Sequence, residues 1–413
     1  MAYALAREGR RVVLFERGEP QSSGASYGNA GHIASEAVEP LPSRSLLAGF
    51  WKELFVLGGP LDIPLKRLPA FMPWALRFAR AAFQREAHTR DLAPLVRSAC
   101  ATHLRWLKEI GREGLLKVHG HYEWWHGARA GASADAQARL MRELEVETQP
   151  ASAEALAALT AQSGPGAALW FPQSGHVLDP LELMRVLATA AAERGAEQRR
   201  EDVRTLEARG RGLAVLSERG SCEIDAAVVC AGVWSGALLR PFGLRAPLEA
   251  ARGYHVELPG HPPLIDAPVV YSNEHLVVTP MTGRLRATSY MEFALPEAPA
   301  DARKPDRLRQ QLRTLGYRAE VHGKSWVGPR PVLPDYLPAI GQVSGLPLFY
   351  AFGHHHIGLT TAAITGDLVA DLVAQRDPRL PVRGFDLRRF SAARADPSRR
   401  VPDRTPHDSA ETR

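Results

Sequence analysis

The first twenty residues, MAYALAREGRRVVLFERGEP, constrain the fold more than any other stretch of the chain. They predict a short helix from Ala2 to Glu8, which Gly9 ends. A strand from Arg11 to Phe15 follows and closes on an acid, Glu16. This is the order of a dinucleotide-binding βαβ unit from its crossover helix onward, in which a carboxylate after the second strand binds ribose hydroxyls. Because the first strand and the G-x-G-x-x-G turn of such a unit do not precede the helix, either the chain binds no nucleotide or the front of the unit has been lost.

Composition narrows the class of protein. The chain has 413 residues, 45% hydrophobic and 23% charged, so it is long enough for two globular domains. Its formal charge of +6 does not indicate a nucleic-acid partner, because residues 388–413 alone carry seven arginines against four acids. Three cysteines, Cys100, Cys222 and Cys230, form no C-x-x-C pair, and their odd number favours a reducing compartment. We therefore expect a cytoplasmic protein that binds no nucleic acid.

One segment raises the question of a membrane contact. No apolar run reaches the ~18 residues that a membrane-spanning helix needs. The nearest candidate, Phe50 to Phe83, mixes aromatic side chains with Lys and Arg and contains Pro60, Pro64, Pro69 and Pro73. These prolines break the segment, so it cannot span a bilayer, but it can lie on a membrane surface or simply cover a domain. We expect helices that cover a domain, with a peripheral contact with the inner membrane through residues 50–83 as the alternative.

The rest of the chain alternates between helical and strand patterns. Helical spacing runs from Leu92 to Leu116 and recurs near Ala134 to Glu145, and Asp179 with Pro180 opens a further helix. After that helix the period changes to two across the turns Arg209-Gly210 and Arg219-Gly220, which predicts a small meander that ends in a buried strand, Ala226 to Cys230. The block from Arg252 to Phe293 reads as strands without crossover helices, which favours an antiparallel sheet.

Two features close the sequence. The stretch HHHIGLTTAAITGDLVADLVAQR predicts an amphipathic helix of about four turns. From Arg379 onward Pro, Arg, Asp and Ser dominate, and this composition predicts a disordered tail.

Four patterns fall in an order that identifies a family. After Glu16 come SSGASYGNAGHI (Ser22 to Ile33), AAVVCAGVWS (Ala226 to Ser235), WVGPRPVLPD (Trp326 to Asp335) and AFGHHHIGLT (Ala351 to Thr360). With these patterns the sequence resembles the FAD-dependent oxidoreductases of the D-amino acid oxidase, glycine oxidase and sarcosine oxidase superfamily, and most of all the bacterial D-amino acid dehydrogenases. The resemblance covers about 2–375.

The resemblance implies an α/β fold with two parts. A Rossmann-like FAD-binding domain is expected from residues 1–45, 172–245 and 331–378. A substrate domain, an antiparallel sheet with helices, is expected from 46–171 and 246–330, with 379–413 as the disordered tail.

The resemblance also implies that one strand and the pyrophosphate loop, roughly 15 to 20 residues, are missing before Met1. The helix from Ala2 to Glu8 would then be the remainder of the one whose N-terminus faces the pyrophosphate. We therefore expect weak FAD binding or none by the chain as given.

FAD is the cofactor that the resemblance implies, and most of its contacts map onto the four patterns. Glu16, with Arg17 beside it, would bind the adenosine ribose; the alternative is a solvated acid. The backbone N–H groups near Asn29, Ala30 and Gly31 would bond the N5 and O4 edge of the flavin, whereas a plain loop would need no such density of small residues. The residues assigned to FAD binding are Glu16, Arg17, Ser22, Ser23, Gly28, Asn29, Ala30, Gly31, His32, Val203, Ala231, Gly232, Trp234, Gly353, His354, His356, Ile357, Gly358, Leu359 and Thr360.

Three of these groups have distinct implied roles. The backbone of Val203 would contact adenine, and Gly232 with Trp234 would form a second dinucleotide contact, although a plain strand end also explains them. The start of the last helix would face the N1 and C2 carbonyl of the flavin, where negative charge collects on reduction.

Arg330 is the expected anchor of the substrate. It stands in a G-x-R-P pattern, Gly328 to Pro331, in which the family places an arginine that holds the carboxylate of an amino acid through two hydrogen bonds. Tyr254 and Tyr290 would line the same pocket, and His355 is assigned to the catalytic group with them. The alternative for Arg330 is a surface arginine before proline.

No metal site is predicted. Three adjacent histidines cannot all point at one ion without irregular backbone, and no carboxylate or cysteine stands at ligand spacing. The stretch HGHYEWWHG, His119 to Gly127, is likewise not predicted to bind a metal, and is interpreted as a turn and a strand of the second domain.

The implied reaction is hydride transfer from the Cα of a D-amino acid to FAD. The resulting imino acid hydrolyses to a 2-oxo acid and ammonia, and the electrons pass to a respiratory acceptor, either a quinone or oxygen. Rival substrates within the family are D-proline or cis-4-hydroxy-D-proline, and sarcosine or glycine. A rival of another class is a flavin-free, inactive product that lacks the pyrophosphate loop.

Overall fold

A computed structural model describes residues 1–18, 24–318 and 324–391, and in this part of the chain helices and strands are mixed throughout. The helices are α1 (Ala2–Arg7), α2 (Gly24–Tyr27), α3 (Arg44–Glu53), α4 (Leu68–Ala81), α5 (Arg85–Arg97), α6 (Ala99–Glu109), α7 (Ala130–Glu143), α8 (Ala153–Ser163), α9 (Pro180–Ala192), α10 (Ser235–Leu239), α11 (Arg303–Thr314) and α12 (Gly358–Val373). The strands are β1 (Val13–Glu16), β2 (His32–Ile33), β3 (Leu61–Asp62), β4 (Leu116–Lys117), β5 (His121–His126), β6 (Gln149–Pro150), β7 (Gly166–Phe171), β8 (Gly175–Val177), β9 (Glu197–Arg200), β10 (Val203–Arg209), β11 (Gly212–Ser217), β12 (Gly220–Ile224), β13 (Ala227–Val229), β14 (Glu249–Pro259), β15 (Val269–Tyr271), β16 (Leu276–Met281), β17 (Arg284–Phe293), β18 (Ser325–Val332), β19 (Ala339–Gln342) and β20 (Leu348–Phe352).

The N-terminal unit has the predicted order of helix, stop, strand and acid. Helix α1 buries Tyr3 and Ala4, which pack in one cluster with side chains of α6, α9 and α12. Gly9 takes a φ of 75°, which favours glycine, and the chain then enters β1. Strand β1 pairs in parallel with β9, so that Glu16 lies opposite Arg200. The α/β fold class is thereby confirmed at the start of the chain.

A second parallel pairing brings the later patterns to the same part of the fold. Strand β13 pairs in parallel with β20, and β20 pairs antiparallel with β19. The meander predicted after α9 is present as β10, β11 and β12. Strand β20 ends at Phe352 and Gly353 follows with a φ of 80°, after which a 3-10 turn, His355–Ile357, leads into α12. The helix that the sequence predicted here therefore begins directly behind a buried strand.

The largest sheet of the described residues has nine strands. Their order is β18-β14-β17-β16-β15-β5-β7-β6, and β3 pairs with β17. The expectation of an antiparallel sheet is right for most pairs but wrong for two, because β15 pairs in parallel with β5 and β17 with β3. Strands β3 and β5 come from an earlier part of the chain and are not hairpin neighbours, so nothing in the local pattern fixes their direction.

The strands of this large sheet fall within the two segments assigned to the substrate domain, apart from the last residues of β18. The strands of the smaller sheets fall within the segments assigned to the FAD-binding domain, apart from β4. The assignment of the segments to cofactor and substrate remains a prediction.

Residues 50–83 form two helices joined by a proline-containing connection. Pro60 and Pro64 lie between α3 and α4, as the interruption predicted, but Pro73 lies inside α4 and does not end that helix. None of the helices in the described residues is both long and apolar enough to cross a bilayer.

The predicted disorder from Arg379 onward is wrong for residues 379–391. Two 3-10 turns form there, Arg383–Phe385 and Leu387–Phe390, and Phe385 and Leu387 are buried. Arg389 forms an ion pair with Asp335 at 2.6 Å. Apolar side chains spaced within a polar stretch thus supply enough buried surface to order it. Residues 392–413, the remainder of the predicted tail, lie outside the described residues.

Candidate active site

A cavity of about 2160 Å³ collects most of the residues that the sequence singled out. Small-molecule sites usually measure about 300–1,000 Å³, so this cavity has room for a dinucleotide and a small substrate together. Its lining includes Glu16, Arg17, Gly28, Asn29, Ala30, His32, Val203, Ala231, Gly232, Trp234, Tyr290, Arg330, His354, His355, His356, Gly358, Leu359 and Thr360. Gly31, Tyr254, Gly353 and Ile357 are not part of that lining. Ser22 and Ser23 lie outside the described residues.

One end of the cavity is formed where β1 and β13 terminate. The guanidinium of Arg17 lies 3.7 Å from the ring centroid of Trp234, and Nε1 of Trp234 donates to Oε1 of Glu297 at 3.1 Å. Glu16 accepts a hydrogen bond from the backbone N–H of Gly18 at 3.3 Å. Arg17 and Trp234, from distant parts of the sequence, therefore contact each other beside Glu16.

The loop that follows α2 is held by the large sheet through its carbonyl groups. Arg286 donates from Nη1 to the carbonyls of Tyr27 at 3.2 Å and Asn29 at 2.7 Å. His255 donates from Nδ1 to the carbonyl of Gly28 at 2.9 Å. Arg286 is itself held by Glu257, 2.7 Å from its Nη2. Three consecutive carbonyls thus bond to β14 and β17.

A glycine is required in this loop because an indole ring lies against it. A Cβ atom on Gly28 would lie 2.2 Å from the ring of Trp326, and one on Gly328 would lie 2.0 Å from the same ring. His255 stacks on Trp326 with ring centroids 5.2 Å apart. Trp326 therefore fixes the height of the loop above the sheet.

The expected flavin-edge donors are only partly free. Asn29 donates its N–H to the carbonyl of Ser26, and Gly31 donates its N–H to Oδ1 of Asn29 at 2.9 Å. An Asx turn thus engages the N–H of Gly31, and the preceding helical turn engages that of Asn29. The contact of this loop with the flavin edge remains a prediction. Ala30 has an N–H for which the described residues provide no acceptor, and Ala30 lines the cavity. Gly31 serves instead as the turning point, with a φ of 76°.

The three histidines before α12 make different contacts. His354 lies 3.1 Å from Oγ1 of Thr365, and His355 lies 3.2 Å from His356 through their Nδ1 atoms. Nε2 of His355 is buried without a hydrogen-bond partner in the described residues. Burial lowers the pKa of His354 and of His356 to about 4, so both rings are neutral at neutral pH.

Two of the residues assigned to this turn serve the fold and not the cavity. Ile357 packs in the apolar core under α12, and a Cβ atom on Gly353 would lie 2.7 Å from Cδ1 of Leu333. Neither residue lines the cavity, and their contacts with the cofactor remain a prediction.

Arg330 projects from β18 across the large sheet. Its Nη1 donates to the carbonyl of Tyr290 at 2.9 Å, and its guanidinium lies directly above the backbone of Gly253. Arg330 lines the cavity, and no carboxylate of the described residues forms an ion pair with it. Burial lowers the pKa of its guanidinium to about 10.

Of the two tyrosines expected to line the pocket, Tyr290 lines the cavity and Tyr254 does not. Tyr254 does not line the cavity, because alternation along β14 sends it to the opposite face from Gly253, where its hydroxyl donates to Glu292 at 2.7 Å. Tyr290 contributes its backbone carbonyl, and its φ of 66° marks a strained position. The ring of Tyr290 packs against Phe55, and its hydroxyl donates to Gln311 at 3.1 Å.

Sequence reasoning missed the residues that hold the loop in place. Arg286, His255 and Trp326 lie on three neighbouring strands, and no short motif marks them as partners of residues 27–29. The available signal was that these polar or aromatic side chains stand at positions of the strand pattern that face inward. A buried side chain whose hydrogen bonds are made within the core gives the same pattern.

The residues present suit a dinucleotide that carries a flat ring. Within the described residues, the N–H of Ala30 and the buried Nε2 of His355 have no hydrogen-bond partner, and Gly28 and Gly328 lie close against Trp326. Glu16 and Trp234 line the same cavity.

Comparisons with known proteins agree with this geometry. The family model DAO, described as "FAD dependent oxidoreductase", matches residues 1–372. A D-amino-acid oxidase of Bradyrhizobium diazoefficiens is 31% identical, with 93% of this chain and 94% of the relative covered. A D-amino acid dehydrogenase of Paramagnetospirillum magneticum is 30% identical, with 95% and 96% covered. The crystal structure of glycine oxidase from Geobacillus kaustophilus shares the fold, with a TM-score of 0.72, 22% identity and 94% of both chains covered.

Proposed function

The chain belongs to the DAO family of FAD-dependent oxidoreductases that act on amino acids, and on this premise we propose that it oxidises a D-amino acid. The substrate loses a hydride from Cα, which FAD would accept, and a proton from its amine, which gives an imino acid. Water then hydrolyses the imino acid to a 2-oxo acid and ammonia. Two relatives at about 30% identity, named D-amino-acid oxidase and D-amino acid dehydrogenase, support the choice of the D-enantiomer.

The single observation that carries this proposal is the unpaired cation at Arg330. Its guanidinium is largely desolvated, donates to only one carbonyl and has no carboxylate partner among the described residues. A desolvated cation of this kind is satisfied by a bound anion, and the α-carboxylate of an amino acid fits a guanidinium through two parallel hydrogen bonds. Arg330 would thereby fix both the position and the rotation of the substrate.

Two further groups of residues have a proposed role: one would hold the cofactor, and the other keeps additional positive charge away from the substrate amine. Bound FAD supplies the acceptor for the hydrogen and the electron pair that leave Cα. Glu16, Trp234 and the N–H of Ala30 would hold the two ends of the dinucleotide. The neutral rings of His354 and His356 add no positive charge next to the substrate amine, which must lose its proton before oxidation.

Anaerobic mixing of the flavin-loaded protein with amino acids tests the reaction. We expect D-amino acids to bleach the flavin absorbance and their L-enantiomers to leave it unchanged. D-proline, cis-4-hydroxy-D-proline, sarcosine and glycine form separate arms, because a secondary or unsubstituted amine as the best substrate would replace the proposed class. A protein that carries flavin but is bleached by none of these compounds would overturn the proposal.

The electron acceptor is proposed to be a quinone at a membrane surface, supported by an exposed apolar patch. The patch comprises the exposed side chains of α3, α4 and their connection, with Leu65 81% exposed, Val56 79% and Trp51 70%. Lys52 and Lys66 lie among them, so the patch combines apolar and basic groups as surface-bound helices do. An anionic lipid surface matches both features.

Two measurements test this part of the proposal. Reduced protein should be reoxidised faster by a quinone analogue than by oxygen, and the protein should cosediment with vesicles that contain anionic lipid. The double variant Val56→Ser and Leu65→Ser should lose cosedimentation, whereas Leu295→Ser, which changes an exposed leucine elsewhere, should retain it. Equal binding by both variants would argue against a contact through this patch.

A further inference from the structure

Three side chains from separate parts of the chain converge beside the loop of Gly28 to Gly31. His32 begins β2, Glu36 follows it by four residues, and His121 begins β5 of the large sheet. Their ligand atoms all lie within 4.8 Å of one another. We propose that His32, Glu36 and His121 form a binding site for a divalent zinc ion, separate from the oxidation chemistry at Arg330.

The distances in this cluster are those of ligands around an ion. Nε2 of His32 lies 3.8 Å and Nε2 of His121 lies 3.6 Å from the same oxygen, Oε1 of Glu36. A charge-assisted hydrogen bond between imidazole and carboxylate would be about 2.7–2.9 Å long, so neither ring makes one. Zinc binds N and O ligands at about 2.0–2.2 Å, which separates neighbouring tetrahedral ligands by roughly 3.4 Å. A small contraction of the cluster would complete such a site.

The cluster is buried, and a ring nitrogen in it has no hydrogen-bond partner in the described residues. Nε2 of His32 has no hydrogen-bond partner in the described residues, although only 9% of that side chain is exposed. His121 is 1% exposed and stacks on Phe171 with ring centroids 4.4 Å apart. A buried imidazole nitrogen without a partner costs free energy, which a bound cation would offset.

Glu36 is oriented for this role by a second contact. Its other oxygen, Oε2, accepts a hydrogen bond from Oγ of Ser174 at 2.7 Å. The carboxylate is therefore fixed with Oε1 towards the two imidazoles. Hydroxyl and carboxylate groups that orient a ligand from behind are typical of metal sites.

The donor set selects the kind of ion. Two imidazole nitrogens and one carboxylate oxygen suit zinc or a similar transition metal, whereas magnesium and calcium prefer oxygen donors. The other compact group of acids, Asp62, Glu292 and Asp301, already surrounds a cation, because Nζ of Lys304 lies 2.6–3.1 Å from all three. That group needs no metal.

The proposed ion would join two parts of the fold. His32 lines the cavity and directly follows the loop of Gly28 to Gly31, whereas His121 belongs to a strand of the large sheet. An ion between them would clamp the end of the loop to the sheet, and its removal should loosen the loop. The proposal therefore predicts effects on metal content and thermal stability, which do not depend on which substrate is oxidised.

Metal analysis of the purified, flavin-loaded protein tests the site. We expect about one zinc ion per chain after dialysis, and a melting temperature that falls with a chelator and recovers with added zinc. Glu36→Gln and His121→Ala should bind zinc more than about tenfold more weakly, and Ser174→Ala about tenfold to a hundredfold more weakly. His119→Ala, which changes an exposed imidazole two residues from His121, should retain the ion.

Three outcomes would overturn the proposal. They are substoichiometric zinc with no thermal response to added zinc, equal zinc binding by His119→Ala and Glu36→Gln, and a different ion at full occupancy. Should His121→Ala fail to fold, His32→Gln and cobalt titration of the unaltered protein decide the matter, because tetrahedral cobalt gives a strong visible absorption that a surface-bound ion lacks.

Discussion

The guanidinium of Arg330 occupies the space that a side chain on Gly253 would fill, since a Cβ atom there would lie 2.1 Å from Nη2. Gly253→Ala should therefore displace the guanidinium and raise KM for the amino acid by about ten- to a hundredfold, since a misplaced anchor weakens a charge-assisted contact. Steady-state kinetics give KM, and the flavin content of the purified variant shows whether the cofactor is still bound. Gly131→Ala in α7, where a Cβ atom meets open space, should change neither KM nor the flavin content. An unchanged KM for Gly253→Ala would contradict the assigned role of the glycine.

Arg330→Lys keeps the positive charge but removes the planar pair of donors. We expect kcat/KM to fall by about a hundredfold to a thousandfold, equivalent to about 3 to 4 kcal/mol, because one point charge cannot set the rotation of a carboxylate. Flavin absorbance should remain, which separates substrate binding from cofactor binding. The matched control is Arg139→Lys on the exposed face of α7. Equal losses in the two variants would mean that Arg330 has no special contact with the substrate.

Gly28→Ala should lower flavin occupancy, because its methyl group would lie 2.2 Å from the ring of Trp326. Removing the indole should restore the space, so the double variant Gly28→Ala with Trp326→Ala should bind more flavin than Gly28→Ala alone. Absorbance of the bound flavin, relative to protein concentration, gives the occupancy of each variant. A double variant that binds no more flavin than Gly28→Ala would show that the clash is not the cause.

His255 should make the free energy of unfolding depend on pH. Burial, followed by the nearby charge of Arg286, lowers the pKa of His255 to about 4 from its usual 6.5. Between these values the unfolded chain binds a proton that the folded chain does not, so stability falls as the pH drops from about 6.5 to 4. The slope from this one group is at most about 1.4 kcal/mol per pH unit. Denaturant unfolding of His255→Gln should show a shallower dependence, and parallel curves would contradict the prediction.

Local patterns predicted the parts of the fold that depend on neighbouring residues. The order from α1 to Glu16, the meander after α9 and the helix after β20 each follow from spacing and from turn residues within one segment. The family resemblance added Arg330 and the start of α12, which the structure brings to one cavity.

Long-range pairing decided what the sequence did not reveal. The parallel direction of β5 beside β15 depends on strands that lie more than a hundred residues apart. Tyr254 faces the core because of the register of β14, and a one-residue change in register would have turned it to the cavity. The order of residues 379–391 depends on burial of Phe385 against distant helices, which composition does not report.

The three loop carbonyls at residues 27–29 are held by Arg286 and His255, which belong to the sheet that carries Arg330. Mutations in that sheet that move the backbone of β14 or β17 would therefore shift the loop and Arg330 together. One side of the cavity cannot be reshaped independently of the other, and laboratory lineages selected for a new position of Arg330 should also acquire changes in the loop.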